Sequence, residues 1–256
     1  MLVIVALAGL YGANGDGTFC EYDIMIPEGD RGRRALIPKE RLWDEGVVPY
    51  MYAAEVPTSL RRNVERAMLK LEEVADISFV LALRPKGAHL IVTTRYMMNG
   101  KTNGCWATVG KHAPARMNLG WCSGQKELVH ELLHVAGMWH EQSRPDAPTY
   151  LSPRPMGEGS SDINDCVIGE VRTRGMPYDF RSIMHYPINF LGATLTEEGR
   201  NRLTAQKTQA ARVGYYSEMS RLDVMGLQEL YGRSNGASRR DTENSAVAGG
   251  LIGGGI

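Results

Sequence analysis

A chain of 256 residues is long enough for one large domain or two small ones. With 43% hydrophobic and 23% charged residues it has the composition of a folded globular protein, which argues against a mostly disordered chain. Its 29 basic residues balance its 29 acidic ones, so there is no bulk electrostatic reason to expect nucleic acid or an anionic membrane as a partner.

Met1 to Leu10 is an apolar run too short to span a bilayer as a helix. Small residues follow at Gly12, Ala13 and Gly15. This is the layout of a signal peptide over residues 1–15, although without a basic start; a buried first strand is the alternative. Residues 16–34 read as a short propeptide. It ends in Arg31-Gly32-Arg33-Arg34, which is either a loop open to an activating protease or a solvated charge run. From Trp43 the chain reads as folded. Val47–Tyr52 predicts a strand, with Pro49 placing it at an edge or a bulge. Pro57–Val74 predicts an amphipathic helix, with Leu60, Val64, Ala67, Met68, Leu71 and Val74 on one face and Arg61, Arg62 and Arg66 on the other. Ile77–Leu83, His89–Thr93, Gly104–Val109 and Arg116–Leu119 predict further strands. Gln125–Met138 predicts a helix that stops at Gly137. Residues 141–180, rich in Pro, Gly, Ser and Asp, read as irregular. Ser220 to Asp223 resembles a capping box ahead of a last helix ending near Gly232. Residues 235–256 read as a disordered tail, leaving 35–234 as the folded domain.

The chemistry lies in His130-Glu131-Leu132-Leu133-His134, continued by Gly137 and His140. Residues four apart lie one turn above each other on a helix, so His130 and His134 can face one ion. Glu131 stands about 100 degrees round from His130, close enough to reach a water without being a ligand. Gly137 permits a sharp reversal, after which His140 returns as a third ligand. Three histidines leave one position of a zinc ion open, as catalysis needs. This H-E-x-x-H-x-x-G-x-x-H run is the metzincin signature, and Ser182-Ile183-Met184-His185-Tyr186 supplies a candidate Met-turn. Four of the six histidines fall in these two segments. The predicted reaction is peptide-bond hydrolysis by a metal-activated water, with Glu131 as general base. An inactive zinc-binding or adhesion module, or a zinc hydrolase acting on another substrate, are the rivals. The four cysteines, Cys20, Cys105, Cys122 and Cys166, contain no C-x-x-C pair, and their spacing leaves three disulfide pairings open.

With these motifs the chain resembles the astacin family of zinc metalloproteases, in particular its tolloid and hatching-enzyme branches, from about Arg31 to Tyr231. His140 to Asp146, Tyr178 to Tyr186, Gly104 to Gly110 and Trp43 to Tyr50 carry the likeness. The resemblance implies an α+β, two-lobed metzincin-type zincin. A twisted sheet and the active-site helix would lie above the cleft, over an irregular lower lobe with the Met-turn and a C-terminal helix. It implies that Tyr186 is a further zinc ligand able to swing away and stabilise the transition state, and that Met184 packs beneath the zinc. It also implies a Cys105–Cys122 disulfide and a secreted zymogen acting on proteins or peptides. Asp30, in Glu28-Gly29-Asp30, would block the zinc in that zymogen. Cys20 is a rival as the blocking ligand, unless it pairs with Cys166. A cut after Arg34, or after Arg33, would free an N-terminus such as Ala35 to pair with Glu141. Three departures accompany the likeness. The family's outer disulfide is missing, with Asp76 at one expected cysteine and none after Tyr231. Asp146-Ala147-Pro148 replaces Asp-Arg-Asp, and Cys20 and Cys166 have no counterparts.

Overall fold

The structure is a computed structural model that describes residues 18–20, 24–26, 39–95, 97–98, 101–102, 104–153 and 175–234. In chain order the strands are β1 (Thr18–Cys20), β2 (Ile24–Ile26), β3 (Val47–Tyr52), β4 (Ser78–Leu81), β5 (Leu90–Thr93), β6 (Met97–Met98), β7 (Lys101–Thr102), β8 (Cys105–Thr108), β9 (Ala115–Leu119), β10 (Leu151–Pro153) and β11 (Ala193–Leu195). The helices are α1 (Thr58–Glu72), α2 (Gln125–Val135), α3 (Ala147–Tyr150), α4 (Glu197–Ala205) and α5 (Arg221–Tyr231). The chain forms two compact units. One joins Ile37–Met138 to the chain from Asp223 onward, and the other contains Trp139–Leu222. The architecture is α+β.

In the first unit five neighbouring strands run β8-β9-β5-β3-β4. The β3–β4, β3–β5 and β5–β9 pairs are parallel, and β8–β9 is antiparallel. Strand β3 is therefore an interior strand, a correction to the edge placement that Pro49 suggests. Its pairing with β5 begins only at Tyr50, so at Pro49 β4 alone flanks the strand and a missing N–H is tolerated. Helix α1 buries Leu60, Val64, Ala67, Met68 and Leu71, the stripe read from spacing. Helix α2 packs on α1 and on β8 and β9, and Leu128 to Val135 are all buried. Helix α5 belongs to this unit rather than to the irregular lobe where the resemblance puts it. Gln228 Nε2 donates to the Val74 carbonyl at 2.8 Å, and the Asp76 N–H donates to the Gly232 carbonyl at 3.1 Å. Backbone pairing thus fastens the chain where Asp76 stands in place of an expected cysteine. Cys105 and Cys122 form a disulfide, with 5.9 Å between their Cα atoms.

The second unit holds more regular structure than its Pro- and Gly-rich composition suggests. After α3 the chain enters β10, which pairs antiparallel with β11. Helix α4 is not among the expected elements, although Thr196 caps it by accepting the Gly199 N–H at 3.0 Å and Glu197 and Glu198 follow in the first turn. The core of this unit joins Tyr178, Phe180, Ile188, Ala193, Leu203 and Val213. The leader contributes the antiparallel pair β1–β2, also absent from the expected elements. Asp30, Arg31 to Ala35, Cys166, the expected signal peptide and the expected tail lie outside the described residues, as does the side chain of Cys20. No helix among the described residues is long and apolar enough to cross a membrane.

Candidate metal centre

Helix α2 ends in a tightly closed turn. Gly137 has φ 104°, a conformation in which a side chain is strained. Its N–H donates to the His134 carbonyl at 2.7 Å, and the Met138 N–H donates to the Leu133 carbonyl at 2.8 Å. This is the Schellman pattern. The remaining helix-end carbonyls are also satisfied. Val135 accepts the Trp43 indole N–H at 2.8 Å, Ala136 accepts the Tyr231 hydroxyl at 2.9 Å, and the Gly110 N–H donates to His134 at 2.9 Å. Burial pushes the Tyr231 phenol up, with the hydrogen bond at Trp43 opposing it.

The last turns of α2 carry His130 and His134. His130, His134 and His140 each offer a ligand atom, all within 4.8 Å of one another, and all three are buried. The Nε2 atoms of His130 and His134 stand 3.1 Å apart. Two imidazoles bound to one tetrahedral zinc at 2.0–2.1 Å would place their nitrogens roughly 3.3 Å apart, so the spacing suits the ion. The Nδ1–H of His134 donates to the Met138 carbonyl at 2.8 Å, which fixes the tautomer and leaves the Nε2 lone pair for a metal. The donor set fits zinc. Glu131, one residue after His130, is only 2% exposed.

Within the second unit, the segment after His140 is tied to the Met-turn segment. The Glu141 N–H donates to the Met184 carbonyl at 3.0 Å, and the Tyr186 N–H donates to Gln142 Oε1 at 3.0 Å. The Met184 N–H donates to the Ser182 hydroxyl at 3.0 Å, and Met184 is buried. The half-buried Tyr186 ring lies 4.5 Å from the His140 ring. Glu141 Oε1 accepts from Arg144 at 2.8 Å and from the Asp179 N–H at 2.7 Å. Arg144 also grips both oxygens of Asp146, at 2.9 and 2.8 Å, so an ion pair survives the Asp146-Ala147-Pro148 departure. Burial pulls the Arg144 guanidinium down, but the bond to Asp146 and the charge of Glu141 outweigh it and the net shift is upward. Sequence reading missed Gln142, Arg144 and His185 as parts of this scaffold. His185 is fully buried, and that burial pushes its imidazole down to about 4, with the hydrogen bond at Tyr186 opposing and the nearby His140 adding to the drop.

A family model described as Astacin, a peptidase family, matches residues 35–232. The zinc metalloproteinase nas-4 of Caenorhabditis elegans is 27% identical over 230 residues, covering 84% of this chain and 69% of that protein. Tolloid-like protein 1 of Homo sapiens is 29% identical over 211 residues, covering 78% of this chain; the match spans only 20% of the relative's length. Among solved structures, high choriolytic enzyme 1, a hatching enzyme zinc-protease from Oryzias latipes, aligns with a TM-score of 0.60 at 22% identity. That alignment covers 75% of this chain and 95% of the other, and it speaks for the fold. A three-histidine group with zinc-like spacing, on this fold and under a family match across most of its length, places the chain in the astacin family of zinc metalloendopeptidases.

Proposed function

We propose that the chain is a secreted endopeptidase, made as a zymogen, whose catalytic domain spans residues 35–234 between a leader (signal peptide 1–15, propeptide 16–34) and a tail (235–256). His130, His134 and His140 would hold the zinc, with Tyr186 as a further ligand and Met184 as packing beneath it. Bound zinc supplies a Lewis acid that lowers the pKa of water to roughly 7 and polarises a carbonyl. Glu131 takes a proton from the attacking water and delivers it to the leaving amine as the C–N bond breaks. The Tyr186 hydroxyl donates to the oxyanion that develops on the scissile carbonyl. The apolar start and the Cys105–Cys122 disulfide support secretion, since disulfides persist in oxidising compartments. An activating protease cutting in Arg31–Arg34 would release the N-terminus that pairs with Glu141.

The observation that carries this reading is the buried Glu131 set in the helix that presents two of the three histidines. Glu131→Gln keeps the size and removes the base. It should lower kcat by at least about 100-fold, on the scale of general base catalysis, with zinc content unchanged. Peptide hydrolysis and bound-metal analysis on the same preparation check it. Full activity in that variant rejects Glu131 as the base.

A further inference from the structure

The peptide units on either side of the Tyr186 Cα are held at three points. The Tyr186 N–H donates to Gln142 Oε1 at 3.0 Å. The Tyr186 carbonyl accepts from His185 Nδ1 at 2.6 Å, and the other ring nitrogen of His185 accepts the Tyr178 hydroxyl at 2.8 Å. The backbone of Gly214, at φ 80°, lies so close to the Tyr186–Pro187 bond that a Cβ there would overlap the Pro187 nitrogen. The half-buried ring rests 4.5 Å from His140 and 5.5 Å from Phe190.

Gln142 is 4% exposed and lies in the short 3-10 turn Glu141–Ser143, directly after His140. One short segment therefore carries both His140 and the acceptor for the Tyr186 N–H. Taking that acceptor away removes one of the three restraints on the peptide, the one that ties it to the segment of His140.

We propose that Gln142 is a positioning residue. It fixes the Tyr186 peptide against His140, and His185, braced by Tyr178, fixes the far side. Movement of Tyr186 during turnover is then confined to its side-chain torsions. This rests on Tyr186 working at the metal, as proposed above. Gln142→Met keeps length and volume but loses the acceptor; Gln142→Glu keeps an acceptor. Copper(II), which nitrogen and oxygen sites bind more tightly than zinc, provides a second probe through the visible phenolate-to-copper absorption of a bound tyrosine. Gln142→Met should lower kcat roughly 10- to 100-fold, the range for groups that orient metal ligands, with KM within about twofold. The copper band should weaken, and Gln142→Glu should recover most of both. If Gln142→Met does not fold, Gln142→Asn, one methylene short of Tyr186, carries the same expectation. A Met or Asn variant with the wild-type kcat and band overturns the positioning role while leaving Tyr186 in place. A wild-type protein whose copper spectrum is unchanged by Tyr186→Phe overturns the Tyr186 reading, and the proposal with it.

Discussion

Gly137 links helix and site through a single torsion. Its φ of 104° is open to glycine and costs other residues on the order of 1–2 kcal/mol. The turn it permits places the Met138 carbonyl on Nδ1 of His134 and directs the chain toward His140. Gly137→Ala should therefore destabilise the fold by about 1–2 kcal/mol and weaken zinc binding roughly tenfold, because the carbonyl that orients His134 moves with the turn. Chemical denaturation and a zinc titration measure the two effects. Wild-type zinc affinity in that variant would show that the turn does not set the ligand geometry.

Among the elements, α1 and α2 were legible because their apolar residues recur at helical spacing, and α2 was bounded by a glycine. Helix α4 was not, since it buries only Gly199 and Leu203 and leaves no stripe to read. The three-residue strands β1, β2, β10 and β11 are too short to show an alternation. The same contrast holds for the site. The three histidines sit in one short run, His130 to His140, whose spacing declares them. Gln142 reaches Tyr186 across 44 residues and Arg144 reaches Met176 across 32, and no local pattern encodes such contacts. The Cys105–Cys122 link joins β8 to the loop between β9 and α2, closing a sequence separation of 17. For a loop of that length the link should contribute about 3 kcal/mol. The Cys105→Ser/Cys122→Ser pair should lower the denaturation midpoint accordingly. An unchanged midpoint would mean that β8–β9 pairing already holds this corner.

For the molecule as a whole, the proposed zymogen depends on a leader acting on a site far along the sequence. A carboxylate is an acceptable zinc ligand, so Asp30 could occupy the position that catalysis needs open; Cys20, as a thiolate, is its chemical rival. Asp30→Ala should raise the activity of the uncleaved chain, and Cys20→Ser should leave it low if Asp30 is the plug. Peptide hydrolysis before and after cleavage at Arg31–Arg34 tests both. An uncleaved wild-type chain working at the mature rate removes the latency proposal.

The unit that holds the sheet is interrupted by the whole of Trp139–Leu222 before α5 completes it. The carbonyl of Ala136, at the end of the histidine helix, waits for a hydroxyl 95 residues later, on Tyr231. On the ribosome this sets an order of events. At about 5–20 residues per second, several seconds pass between emergence of that helix end and emergence of the tyrosine that ties it. The metal-binding helix is thus made early and finished late. A nascent chain stopped before Asp223 carries all three histidines without the last brace on the helix that presents two of them.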